Sequence, residues 1–170
     1  MRLYAIEVAS PVGLLTVTAS DEAVVGLRLP GTSHPVFEAA RGMGHRLLER
    51  ARAELEGYFE GRRRSFDLPL APRGTDFERE VWRALLEIPF GETRSDGQLA
   101  RSLRRERAAR AVGAANAKNP ISILVPCHRV VGSDGSLTGY AGGTGMKSWL
   151  LDHESKVAGR AVSRQPELFR

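Results

Sequence analysis

Apolar residues change their spacing along this chain, and that change restricts the fold more than any other feature. Residues 3–8 (LYAIEV), 13–18 (GLLTVT) and 24–29 (VVGLRL) form short runs rich in Val, Leu and Thr. Runs of this length and composition read as strands. The links SPVG and SDEA are too short for crossovers and carry turn residues, so antiparallel hairpins are expected. Residues 30–44 read as a loop. From residue 45 the period becomes helical: Leu48, Ala51, Leu55, Tyr58 and Phe59 share one face of a helix over 45–60. RSFDLPLAPRG follows as an extended linker, because Pro69 and Pro72 argue against a central strand. The domain boundary belongs here, separating 1–72 from 73–170.

The second half reads as mainly helical. Thr75-x-x-Glu78 is a capping-box pattern ahead of Phe77, Val81, Trp82 and Leu85, and Pro89 ends that helix. Residues 95–103 and 107–117 are two short helices joined by a tight turn, a helix-turn-helix outline. A short apolar run, a glycine-rich loop with an Asp-Gly turn, and a last helix over about 147–157 complete the chain, with Leu150, Leu151 and Glu154 on that helix. The tail after Gly159 is polar and expected to fray. A small sheet followed by helices gives an α+β class.

Several function classes are excluded. One cysteine in 170 residues cannot form an intrachain disulfide. No apolar run approaches a membrane span. The N-terminus alternates and contains Glu7, so it is a strand and not a signal peptide; a cytoplasmic location is expected. His34, His45, His128 and His153 have no paired ligand spacing, so no metal is expected. No dinucleotide or phosphate-loop glycine pattern occurs, and no cofactor is expected. The net charge is +5, and residues 94–118 alone hold seven cations against two acids, which equals that whole charge. Such a stripe suits a polyanion, although a solvated helix face reads the same way.

Chemistry concentrates at PCHRVVG, residues 126–132. Cys127 is either a buried small hydrophobe or a nucleophile. His128 beside it supplies a base, and Arg129 adds charge that would favour thiolate. The second helix of the pair surrounds Arg110 with Ala108, Ala109, Ala111, Ala114, Ala115 and Ala117, and Gly113 interrupts it. It offers few polar groups to base edges. An alanine face can approach a minor groove closely, or it can pack on a neighbouring helix.

Taken together, Ile-Pro-Phe-Gly-Glu-Thr (88–93), Arg-Ala-Val-Gly (110–113), Asn-Pro (119–120), Pro-Cys-His-Arg-Val (126–130), Gly-Tyr (139–140) and Glu154 resemble the O6-alkylguanine-DNA alkyltransferases. The match is dense from about 75 to 154 and loose before 70. The resemblance implies a ribonuclease H-like N-terminal domain and a winged-helix-like C-terminal domain. It implies direct-reversal repair: binding of double-stranded DNA in the minor groove, flipping of an O6-alkylguanine, and irreversible single-turnover transfer of the alkyl group to Cys127. O4-alkylthymine is a second candidate lesion. By position, His128 takes the thiol proton through a water, Glu154 orients His128, and Asn119 pins the turn. Tyr140 donates to guanine N3, and the Ala141 amide, following Gly139, reaches O6. The Cys127 and Val130 carbonyls read the exocyclic amine. Arg110 fills the gap left by the base, with Ala109, Ala111 and Ala114 beside it and Thr93, Arg94, Ser95 and Asp96 toward the DNA backbone. A monomer is implied, with cooperative loading along DNA as a further expectation.

One position departs from the family pattern. Ser95-Asp96 stands where the family usually has Ser-Tyr, beside the phosphate of the flipped nucleotide. A carboxylate there would repel that phosphate, or would pair with Arg94 or a neighbouring Arg. Rival readings are a non-catalytic lesion-binding relative, a cysteine hydrolase using Cys127, His128 and Glu154, and a plain DNA-binding regulator. The lesion-binding relatives carry a different residue at the cysteine position. Cys127 opposes that reading.

Overall fold

The strands β1 (Tyr4–Ser10) and β2 (Gly13–Ala19) form an antiparallel hairpin in unbroken register from Tyr4 opposite Ala19 to Ser10 opposite Gly13. The computed structural model describes residues 1–32, 34, 36–137 and 139–159. β3 (Val24–Arg28) pairs antiparallel with the other edge of β2, with a register shift at Thr18 and Ala19. Alternation along the hairpin is physical: Ile6, Val8, Leu15 and Val17 are buried while Glu7 and Ala9 face water.

The stretch expected as a loop over 30–44 contains a two-residue strand, β4 (Ala40–Arg41), parallel to β1. It gives the sheet the order β3-β2-β1-β4. Ala40 N donates to Leu3 O and Gly42 N to Ala5 O, each at 2.9 Å, so the open edge of β1 finds partners. Two residues leave no periodic signal. Helix α1 (Arg46–Phe59) then packs on β1 and β2, burying Leu47, Leu48, Ala51, Leu55 and Tyr58. The proline-bearing linker is docked: Val24 N donates to Pro69 O and Ala71 N to Val24 O, both at 2.9 Å. Pro69 serves this bridge as an acceptor, the one backbone role open to it.

The chain divides into two compact units. One is Met1–Arg73 with Pro120–Leu124, and the other is Gly74–Asn119 with the described residues from Val125 on. A contiguous 73–170 segment does not contain the excursion over 120–124. Within the first unit, Leu27 N donates to Pro120 O at 2.9 Å, and Leu27 and Ile121 form a bridge.

The second unit begins with α2 (Asp76–Leu85). Thr75 accepts from Glu78 N, and Glu78 reaches back to Thr75 N at 2.9 Å, the reciprocal box its sequence predicts. Then follow β5 (Arg94–Ser95), α3 (Asp96–Ser102), a 3₁₀ turn (Glu106–Ala108) and α4 (Ala109–Ala117). Trp82 is buried and its indole N–H donates to Ala115 O at 2.8 Å, tying α2 to α4. A second 3₁₀ turn (Cys127–Arg129) leads into β6 (Val130–Val131), which pairs in parallel with β5. Gly135 sits at φ +84° in the expected Asp-Gly turn.

The last helix, α5 (Thr144–Val157), starts three residues before the expected position 147. Gly143 adopts φ +92°, which turns the chain into the helix, and Lys147 N bonds Gly143 O at 3.1 Å. The tail beyond Gly159 lies outside the described residues. Sheet-then-helices is the α+β class expected.

Candidate active site

Cys127 stands on a turn of unusual tightness. Its N–H donates to Val125 O at 2.8 Å, and Pro126 between them has φ −82° and ψ +63°, the geometry of an inverse γ-turn. Proline's ring fixes φ near that value without cost. Val125 O also accepts from Asn119 Nδ2 at 2.9 Å. Asn119 is buried and closes the base of the 120–124 excursion, so it pins the backbone turn as its position implied. Cys127 itself is 4% exposed.

His128 follows on the 3₁₀ turn and is fully buried. Its Nε2 lies 2.7 Å from Glu154 Oε2 on α5. A carboxylate accepts, so Nε2 carries the proton in the neutral ring and Nδ1 is left with its lone pair. Nδ1 is buried and has no hydrogen-bond partner among the described residues. Burial holds the imidazole below its ordinary pKa; Glu154 pulls it up, and the Arg129 and Lys147 charges push it down again. The ring is therefore neutral at neutral pH, with a base lone pair beside the thiol.

Glu154 receives four donors on two oxygens. Besides His128, Arg129 Nε bonds Oε1 at 2.8 Å, Arg129 Nη2 bonds Oε2 at 3.0 Å, and Gly91 N bonds Oε1 at 3.2 Å. Burial alone would raise this carboxyl; His128 and the Arg129 fork outweigh it and hold it well below the usual carboxylate range. The remaining Arg129 arm donates to Ile88 O at 2.7 Å, and the guanidinium lies 5.7 Å from the Phe90 ring centre. Arg129 was expected to add charge that favours thiolate. Its donors are instead committed to Glu154 and Ile88, so it acts as a clamp that gives Ile-Pro-Phe-Gly its place.

Tyr140, Ala141 and Gly139 lie on the loop before α5, with Thr138 outside the described residues. Gly139 has φ +35°, and Gly143 N bonds Tyr140 O at 2.9 Å. The Tyr140 hydroxyl is buried without a partner among the described residues. Burial, with Cys127 and Glu154 nearby, pushes its pKa well above the ordinary tyrosine value, so it keeps its proton as a donor. Val130 is buried in β6 opposite Arg94. Of the two carbonyls expected at the exocyclic amine, Cys127 O already accepts from Val130 N and from Asn116 Nδ2 at 3.4 Å.

The helix-turn-helix face is arranged as its sequence allowed. Arg110, Ala111 and Ala114 are exposed on α4 and Ala109 is half-buried, while Val112, Ala115 and Asn116 turn inward. Both readings of the alanines are thus realised, Ala115 packing inward and the others facing water. Thr93 is exposed. Ser95 caps α3, accepting from Gln98 N at 3.1 Å. Arg94 pairs with Glu92 at 3.2 Å, so it is not the partner of Asp96 that was expected. The charge coupled to Asp96 is Lys147, and its carboxylate packs against Gly113 of α4. A Cβ on Gly113 would meet Asp96 Oδ2 at 3.4 Å.

Sequence reasoning passed over Asn116 and Lys147. Lys147 is 1% exposed. Lys147, Leu150, Leu151 and Glu154 are the buried residues of α5 and fall at i, i+3, i+4 and i+7. That spacing was available and would have placed Lys147 on the buried face. Among the described residues no cluster of His, Cys, Asp or Glu could hold a metal ion, and no helix is long and apolar enough to cross a membrane.

Residues 3–72 match the family described as the 6-O-methylguanine DNA methyltransferase ribonuclease-like domain, and residues 76–156 the DNA binding domain of that methyltransferase. A methylated-DNA–protein-cysteine methyltransferase of Methanosarcina barkeri is 46% identical over 148 residues, covering 86% of this chain and 94% of the relative. One from Mycolicibacterium paratuberculosis is 45% identical over 149 residues, covering 88% and 90%. The crystal structure of Mycobacterium tuberculosis OGT in complex with DNA superimposes with a TM-score of 0.83 at 42% identity, covering 92% of this chain and 94% of that one. Identity at this level over nearly the whole length, together with the pinned Cys127-His128 turn and its Glu154 anchor, establishes that the chain belongs to the 6-O-methylguanine DNA methyltransferase family.

Proposed function

We propose that this chain repairs DNA by direct reversal, moving the alkyl group of an O6-alkylguanine in duplex DNA onto Cys127. The observation that carries the reading is the Cys127–His128–Glu154 arrangement: one thiol on a pinned turn, followed by a neutral imidazole whose Nε2–H is held by Glu154. His128 Nδ1 is the acceptor for the thiol proton, directly or through a water. The sulfur then attacks the alkyl carbon. The S–C bond forms as the C–O6 bond breaks, and the electron pair leaves on the guanine. The base regains one proton, so the net change is thiol plus alkylguanine to thioether plus guanine. Nothing in the site reverses the thioether, and each molecule reacts once.

Guanine is a poor leaving group unless its developing charge is met by donors. The buried, protonated Tyr140 hydroxyl suits N3, and the Ala141 amide suits O6. Extrusion of the base costs a few kcal/mol and is least for a damaged base. Arg110, exposed on the alanine face of α4, suits the gap in the stack, because a guanidinium is both charged and flat. In this reading residues 1–72 form an N-terminal domain with its linker, and 73–170 the DNA-binding and transfer domain. A reduced thiol fits the cytoplasm.

Intact-protein mass spectrometry after mixing with a duplex carrying one O6-methylguanine tests the reading. Wild type gains one methyl group and saturates there, and Cys127→Ser gains none. No gain by wild type, with lesion binding retained, would transfer the chain to the lesion-sensing class.

A further inference from the structure

Two buried cations stand near the thiol, and they are used differently. Arg129 is held by Glu154 and Ile88. Lys147 is one of the most deeply buried large side chains of the chain, on the inward face of α5 two turns before Glu154. An ammonium in that position requires anions, because an unpaired buried charge is strongly disfavoured. The charges coupled to it are Cys127 and Asp96. Asp96 begins α3, and its carboxylate lies over Gly113, whose missing Cβ leaves room for it against α4.

We propose that Lys147 is the counter-charge of the Cys127 thiolate, and that Asp96 is a positioning residue that shares this ammonium and so sets how much of it the thiolate receives. The proposal rests on the reading of Cys127 as nucleophile. It adds a cation to the thiol–imidazole–carboxylate set. Asp96 thereby acts on the chemistry from the start of the helix-turn-helix, with no contact to the sulfur required.

The electrostatics agree. Burial draws the Lys147 ammonium below the ordinary lysine value, and Cys127 and Asp96 hold it up. Burial raises Asp96, and Lys147 lowers it. One cation between two anions means that removing one anion favours the other. The titratable and charged groups around the thiol come from four elements: Asp96 from α3, His128 and Arg129 from its own 3₁₀ turn, Tyr140 from the loop, and Lys147 and Glu154 from α5.

The test is the ultraviolet absorbance of the thiolate as a function of pH, with Cys127→Ser subtracted. A single cysteine makes the signal unambiguous, and no DNA is needed. Lys147→Met raises the thiolate midpoint by about one pH unit, the scale of one nearby charge. Asp96→Asn lowers it, and Lys147→Arg stays close to wild type. Opposite signs separate this role from a structural one, because loss of packing alone would move both variants the same way. An unchanged midpoint in Lys147→Met, or shifts of the same sign, would overturn the proposal. Should Lys147→Met fail to fold, Asp96→Asn decides alone: a lower midpoint supports the proposal and an unchanged one overturns it. If these shifts hold while lesion DNA leaves wild-type Cys127 unmodified, the repair reading fails and this one stands.

Discussion

His128 Nε2 and Glu154 Oε2 meet at 2.7 Å with both side chains out of contact with water, and the same carboxylate is gripped by the Arg129 fork. A buried carboxylate with four donors fixes both the tautomer and the orientation of the imidazole. Catalysis and fold depend on the same atoms here.

Glu154→Gln removes the charge and turns an amide toward Arg129. Single-turnover repair should slow by about two orders of magnitude or more, the scale of a misplaced base. Stability should fall by about 3–5 kcal/mol, because Arg129 is left as an uncompensated buried charge. Quench-flow kinetics and urea unfolding read the two effects separately. A rate within twofold of wild type would remove Glu154 from the proton path.

Acid should destabilise the fold in two steps. His128 is held below its ordinary value of 6.5, so the unfolded chain binds that proton first, and stability falls as pH drops below about 6.5. Glu154 is depressed from 4.5, so its contribution is complete above that value and is lost as pH falls below it. Unfolding midpoints measured from pH 8 down to about pH 3 should decline through both windows. His128→Gln should flatten the upper one.

Asn119→Ala leaves Val125 O with the Cys127 N–H as its remaining donor and frees the base of the 120–124 excursion. A loss of about 1–3 kcal/mol is expected, with a slower transfer step. Asn119→Asp should not rescue it, because a carboxylate at neutral pH has no N–H to give. Thermal melting and single-turnover kinetics together decide.

Trp82→Ala should cost about 3–5 kcal/mol, since it empties a large buried volume and orphans Ala115 O. Arg110→Ala is the converse case. Arg110 is exposed on α4, so stability should change by less than about 0.5 kcal/mol. Duplex affinity and lesion transfer should fall, and a free alkylating nucleobase should react with Cys127 as before. Parallel loss of both reactions would place Arg110 in the chemistry and not in DNA handling.

The elements that local chemistry specifies were legible in the chain. Alternation gave the β1–β2–β3 meander, three-to-four spacing gave α1 and α2, and the Thr75 capping box gave the start of α2 to the residue. The nucleophile and base were readable as neighbours, and their carboxylate through resemblance. β4 was missed because it is two residues long and exists through hydrogen bonds to Leu3 and Ala5.

By itself, then, the sequence determined a small antiparallel sheet, a helical second half, a single thiol beside an imidazole, and a positive stripe ending in an alanine helix. Those features depend on residue type and on neighbours a few positions away. Tertiary structure decided which cation serves which anion. Arg129 adjoins the thiol in sequence yet is committed to Glu154, 25 residues on. Lys147, 20 residues from Cys127 along the chain, carries the charge coupled to it, and Asp96 is coupled to Lys147 and not paired with Arg94. The reason is physical: a buried charge is placed by the anions folding brings within reach in a low-dielectric interior, and distance along the chain does not enter that energy.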